Sequence, residues 1–306
     1  MNWAGVMPAL TTAFDANLDI DHPLVARHAQ WQIENGVTGL IALGSLGEAA
    51  TMKHDEKVAL IQTLVKAASA KVPVVAAISA LSTHEAVALA KAAEANGASG
   101  LMILPPYVYL GDWRENKAHV AAVLKATSLP AMLYNNPIAY GTDYLPEHIQ
   151  QLAAEFPNLK AVKESSSDVR RVTAIRALAG DRLAVFVGVD DAIVEGIGAG
   201  ATGWVAGLVN AMPRESVELF NLATANRKQE AFELYRWFLP LLRMDTVPKF
   251  TQLIKQVQQE LGAGNARVRA PRLEVVDAEL AATRAALTLA LNTRPAVAIR
   301  STEFPR

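Results

Sequence analysis

The sequence predicts an α/β fold, a (β/α)8 TIM barrel with a C-terminal helical appendage. Three observations predict it. Short continuous apolar runs alternate with longer amphipathic segments, as expected of parallel strands buried on both faces and separated by helices. One helix-to-strand junction recurs: Asn35-Gly36-Val37-Thr38-Gly39-Leu40 returns as Asn96-Gly97-Ala98-Ser99-Gly100-Leu101 and as Ala199-Gly200-Ala201-Thr202-Gly203-Trp204. In each copy the first glycine suits a left-handed helix end and the second leads into a strand. Finally, the 306 residues exceed a bare barrel of roughly 250, and the surplus has a helical pattern.

The apolar runs occupy residues 6–13, 39–43, 74–78, 100–104, 131–134, 159–163, 184–187 and 203–205, which gives eight strands. Helix starts lie between them. Asp21-His22-Pro23 offers a capping carboxylate followed by an early proline, and Ser82-Thr83-His84-Glu85 has the capping-box spacing. After the eighth strand, the stretches 227–242, 248–261 and 277–291 are helical without strand-like runs. The barrel is therefore placed at residues 1–225 and the helical region at 226–306, with a loosely held tail from 293.

Composition narrows the function. Twenty-nine Lys and Arg against 30 Asp and Glu leave a net charge of −1, without the cationic excess that nucleic-acid binding needs. Without cysteine, disulfides, thiolate ligands and Cys nucleophiles are excluded. The first basic residue is Arg27, so no positively charged signal-peptide start is present. The longest uncharged stretch, 196–213, is broken by five glycines and makes a poor membrane span. A soluble cytoplasmic protein is expected, with no membrane or nucleic-acid partner. The histidines (His22, His28, His54, His84, His119, His148) are isolated and read as surface or helix-end residues, so no metal site is expected. No Gly-x-Gly-x-x-Gly or Walker loop follows a strand, so no nucleotide cofactor is expected.

Barrel active sites lie at the C-terminal strand ends, where a few polar groups stand out. Gly44-Ser45-Leu46-Gly47-Glu48 after the second strand is either an ordinary turn or a holder for a carboxylate or phosphate. Tyr134 ends the fifth strand in Tyr134-Asn135-Asn136-Pro137, as a proton carrier or a rim aromatic. On the sixth strand, alternation from a buried Val162 turns Lys163 to the opposite face at the catalytic mouth, while Lys160 meets solvent at the other end. An amine among apolar walls is favoured in its neutral, nucleophilic form; the alternative is a salt-bridged rim lysine. Asp190 and Asp191 read as caps of the next helix, and Arg267, Arg269 and Arg272 as a solvated or subunit-contact surface.

Taken together, these motifs resemble the dihydrodipicolinate synthase / N-acetylneuraminate lyase family. Gly44-Ser45-Leu46-Gly47-Glu48 is similar to its Gly-(Ser/Thr)-Thr-Gly-Glu loop, Tyr134-Asn135-Asn136-Pro137 to its Tyr-Asn-x-Pro motif, and Val162-Lys163-Glu164-Ser165 to its Schiff-base strand. The resemblance implies that Lys163 forms an imine with a small 2-oxo acid and that Tyr134 moves protons. It implies further that Ser45, with the Leu46 amide and Gly47, holds the substrate carboxylate. Gly188 and Val205 would shape the pocket, and the assembly would be a homotetramer. Three positions depart from the pattern. Leu46 replaces a relay hydroxyl, and the relay's second tyrosine aligns with Val108, between Tyr107 and Tyr109. Ala139 replaces the arginine that receives a second carboxylate, a loss of about 2–5 kcal/mol in charge-assisted bonding. Within the family, the Tyr140-Gly141, Gly188-Val189-Asp190-Asp191 and 203–210 stretches are similar to the hydroxyproline-catabolic branch. Those enzymes are 1-pyrroline-4-hydroxy-2-carboxylate deaminases, which make 2,5-dioxopentanoate and ammonia from a cyclic imine with a single carboxylate. Pyruvate-dependent aldolases or dehydratases of the family are the nearest alternative, and a catalytically silent barrel used as sensor or scaffold is the third.

Overall fold

Eight parallel strands form in a computed structural model that describes residues 1–305. They are β1 (Gly5–Pro8), β2 (Leu40–Ala42), β3 (Val74–Ile78), β4 (Gly100–Ile103), β5 (Ala131–Asn135), β6 (Leu159–Glu164), β7 (Ala184–Val187) and β8 (Gly203–Ala206). From β2 to β8 each pairs with its sequence neighbour, and β1 pairs with β8. The run 6–13 is longer than its strand because the chain changes partners there. The Ala9 amide donates to Ala206 while the Leu10 amide donates to Ile41, and a parallel bridge between Ala9 and Ile41 brings the first and second strands together. A closed sheet has no free edge to protect.

Helix boundaries follow the capping residues. Asp21 accepts from the Leu24 amide at 2.9 Å to open His22–Glu34, and Ser82 accepts from the Glu85 amide at 3.2 Å to open Thr83–Ala95. The repeated junctions end their helices as expected: Gly36, Gly97 and Gly200 have φ of +97°, +84° and +104°. The appendage consists of the helices Lys228–Leu242, Phe250–Glu260 and Asp277–Asn292.

This appendage is locked to the barrel by buried charge. Lys255 and Glu48 are 1% and 0% exposed at the side chain and lie 3.0 Å apart. Lys255 also donates to the Thr12 and Arg267 carbonyls, and the second Glu48 oxygen accepts from the Arg269 amide at 3.0 Å. Every polar atom of the pair is thereby used, which is what permits its burial.

Three sequence expectations are corrected. Arg267 and Arg269 are not a free surface. Arg269 lies over the Phe14 ring, 4.7 Å from its centroid, and reaches Glu56 at 2.6 Å, while Arg267 donates to the Phe14 carbonyl. The tail is held, because the Asn35 amide group offers both a donor and an acceptor: it bonds Thr302 Oγ1 at 2.8 Å and the Thr302 amide at 2.9 Å. His28 and His119 are buried rather than superficial. His28 Nε2 meets the Asn210 carbonyl at 2.8 Å, with the amides of Gln32 and Gln258 beside it, and His119 pairs with Thr83 at 3.0 Å.

Burial pulls the His28 pKa down to about 4 from 6.5, against the Asn210 hydrogen bond. The unfolded chain therefore takes up this proton first as pH falls. The stability that neutral His28 contributes is complete above pH 6.5 and is lost between 6.5 and about 4, a total of about 3 kcal/mol. Urea melts of His28→Gln should show a correspondingly flatter fall of stability with acid across that window. The same acid slope in variant and parent would contradict this role.

Candidate active site

The site is assembled at the C-terminal mouth of the barrel. Alternation along β6 buries Val162 completely on the outer face and turns Lys163 inward, in register with Tyr134 on β5 and Phe186 on β7. Lys163 is 6% exposed, and its Nζ lies 4.1 Å from the centroid of the Tyr134 ring. No ion pair among the described residues engages it, so it is not a salt-bridged rim lysine. Lys160 on the same strand is exposed, as expected. The next residue out, Glu164, ties the strand ends together: it accepts from Asn135 at 3.0 Å and from the Ser166 amide at 2.7 Å. Burial raises the Glu164 pKa, and these bonds oppose the rise.

Two glycines make room. A Cβ on Gly188 would stand 2.0 Å from Ser165 Oγ and 2.6 Å from Lys163 Cε, so only glycine lets the lysine stem pass. A Cβ on Gly47 would meet the Leu10 carbonyl at 2.8 Å, and the Gly47 carbonyl accepts from Thr12, which fixes the turn after β2.

That turn brings Ser45 to the mouth, where its hydroxyl is hydrogen-bonded to the Tyr140 hydroxyl. Leu46 is buried in the core. Tyr140 sits at the end of a single helical turn, Pro137–Tyr140, and its ring is stacked on Tyr107 at 5.6 Å and edge-on to Tyr134 at 5.7 Å. Burial, then the neighbouring Tyr134 and Tyr107, raise its pKa. The Tyr134 hydroxyl accepts from Asn136 Nδ2 at 3.0 Å. A row of Lys163, Tyr134, Tyr140 and Ser45 thus lines one side of the mouth.

The other expected site residues are placed differently. Ala139 is exposed on the rim turn, so its methyl group adds nothing to the row. Val205 is fully buried in register with Met7, in the packed interior of the barrel. Val108 is 92% exposed with φ of +71°, while Tyr109 turns outward to Glu115 at 2.9 Å; of the three, Tyr107 is the one stacked inward. Asp190 does not cap a helix. It is fully buried and accepts from Trp204 Nε1 at 3.1 Å and from the Gly207 and Leu208 amides at 3.0 and 2.7 Å. Burial pushes its pKa up to about 6, opposed by those bonds and by Lys163.

Sequence reasoning missed Tyr140, Asp190 and Asp245 as parts of this mouth. Tyr140 had a local signal, its place just after the Tyr134 motif. Asp245, from the turn Arg243–Thr246 in the appendage, had none, because only the folded chain carries it against Gly207, just after β8. A separate cavity of about 170 Å³, lined by Trp31, Met212, Glu215, Arg294 and Phe304, is a poorer candidate, since Arg294 and Ser301 both bond Glu215.

A buried lysine stands beside a tyrosine at the mouth of this TIM barrel, as a Schiff-base lyase requires. The chain belongs to the dihydrodipicolinate synthetase family, whose sequence model matches residues 2–290. It is 32% identical over 279 residues to a 4-hydroxy-tetrahydrodipicolinate synthase of Acidobacterium capsulatum, covering 91% of this chain and 92% of that protein. The corresponding protein of Salinibacter ruber is 32% identical over 271 residues, with 89% and 90% covered. The crystal structure of dihydrodipicolinate synthase from Thermotoga maritima matches with a TM-score of 0.90 and 27% identity, over 94% of this chain and 98% of that one. No helix among the described residues is long and apolar enough to cross a membrane.

Gly188→Ala should keep the far-UV spectrum of the parent yet form an imine at least about 100-fold more slowly, a barrier increase of about 2.7 kcal/mol. The rate of borohydride inactivation in the presence of pyruvate measures this, and a rate equal to the parent's would show that the lysine stem does not need the glycine.

Proposed function

We propose that Lys163 forms an imine with the C2 carbon of a small 2-oxo acid, and that the overall reaction is aldol cleavage or formation. The carrying observation is the Lys163 amine held over the Tyr134 ring, without a carboxylate partner among the described residues. The named relatives favour this aldol reading. In it, the amine adds to C2, and the oxygen leaves as water after taking a proton by way of Tyr134. Loss of a C3 proton then gives an enamine whose C3 attacks an aldehyde, and cleavage is the reverse. The Ser45 hydroxyl and the backbone amides of its turn hold the substrate carboxylate. Tyr140, bonded to Ser45, supplies the relay hydroxyl that Leu46 lacks and passes protons between Ser45 and Tyr134.

The aldehyde partner has no second carboxylate held at position 139, since Ala139 offers no cation. That argues against synthesis of dihydrodipicolinate itself. The same observation favours a second reading, the deaminase. There Lys163 would attack the ring C=N of 1-pyrroline-4-hydroxy-2-carboxylate, transimination would open the ring, and loss of the C4 hydroxyl followed by hydrolysis would release ammonia. A homotetramer in the cytoplasm is part of the proposal, on the family resemblance alone.

Product analysis separates the readings. Incubation with 4-hydroxy-2-oxo acids and 2-keto-3-deoxy sugar acids should release pyruvate under the first reading. Under the second, ammonia should appear from the cyclic imine instead. Neither product would reject both. In whichever reaction proceeds, Tyr140→Phe and Tyr134→Phe should each lower kcat by roughly 10²–10⁴-fold, the usual contribution of a general acid–base; a Tyr140→Phe enzyme as fast as the parent would remove Tyr140 from the relay.

A further inference from the structure

Across the mouth from the tyrosine row stands a carboxylate that the imine chemistry leaves unused. β8 ends at Ala206, and Gly207 follows it at the C-terminal end of the barrel, where its backbone turns helical (φ −91°, ψ −57°). A Cβ there would lie 2.2 Å from Asp245 Oδ1 and 2.9 Å from Ile254 Cδ1. The Asp245 carboxylate therefore occupies the space that a side chain at position 207 would fill, at the C-terminal end of β8. The Gly207 amide is held from behind by the buried Asp190, at 3.0 Å. Asp245 is only half-buried, and none of the ion pairs among the described residues engages it.

We propose that Asp245 is a catalytic residue of this site, carrying the proton of the oxygen on C4 of the imine-bound substrate. The proposal rests on the Lys163 imine reading. With the C1 carboxylate at the Ser45 turn, on the β2 side, the chain beyond C2 extends across the mouth towards the end of β8, where Asp245 stands. In cleavage, the Asp245 carboxylate takes the C4 hydroxyl proton; as C4=O forms, the C3–C4 bond breaks and its electron pair forms C2=C3 while the iminium nitrogen becomes neutral. In condensation the carboxylic acid returns that proton to the C4 oxygen. In the deaminase reading, the same acid protonates the departing C4 hydroxyl, which leaves as water. The surroundings suit a group that alternates between both forms. Burial, and then the Asp190 carboxyl, raise the Asp245 pKa, while the Lys163 charge lowers it. Asp191, which lies 3.5 Å from Arg243 Nε, adds a weaker upward push.

The test compares two reactions of one enzyme. Exchange of the pyruvate C3 protons with deuterated water needs the imine and enamine but no C4 oxygen. Turnover of 4-hydroxy-2-oxopentanoate or of the cyclic 4-hydroxy imine needs both. Asp245→Asn should lower turnover of the C4-hydroxylated substrate by at least about 100-fold while lowering exchange by no more than about threefold. Gly207→Ala, which displaces the carboxylate without changing it, should show the same split. Equal losses in both reactions would reveal a merely structural role and overturn the proposal, as would a variant as active as the parent. A parent that exchanges pyruvate protons yet turns over neither C4-hydroxylated substrate would also overturn it. A parent that fails even to exchange would reject the imine reading beneath it.

Discussion

A closed barrel leaves a side chain only two directions, and β6 assigns them by alternation. Val162 must face the helices, so Lys163 must face the axis. There it is surrounded by Tyr134, Phe186 and the space above Gly188, with water largely excluded. Shifting β6 by one residue would put a valine inside and expose the amine to the outer layer. The register is held by the Glu164–Asn135 bond at the strand ends, which makes that pair a support for the chemistry rather than part of it.

The appendage completes the site from outside the barrel. Lys255 anchors the turn after β2 through Glu48, and so sets where Ser45 and its amides point. Asp245 packs against Gly207 at the end of β8. The Lys255–Glu48 pair is fully buried, where losing either partner is costly, so the helices after β8 are coupled to the mouth and not merely attached to it.

Much of this was legible in the chain. The apolar runs located every strand within a few residues, because strands buried on both faces leave an uninterrupted apolar signature. Strand-end position singled out Lys163, Tyr134 and the Ser45 turn as candidates at the mouth of a barrel, and the family resemblance gave them roles and added Gly188. What stayed hidden depends on contacts distant in sequence. Nothing local distinguishes Asp190, which accepts three hydrogen bonds inside the fold, from an aspartate that caps a helix. Likewise His28 lies on a helix that reads as amphipathic, yet it faces Asn210 and Gln258 from far along the chain. Tail residue Thr302 is fixed by Asn35, a partner that composition could not indicate.

The most direct measurement is the mass of the tryptic peptide containing residue 163 after the protein is reduced with borohydride in the presence of pyruvate. A covalent imine at this amine predicts a peptide heavier by one reduced pyruvate, absent from Lys163→Ala and from protein reduced without the 2-oxo acid. An unmodified peptide, or the added mass on another lysine, would contradict the account.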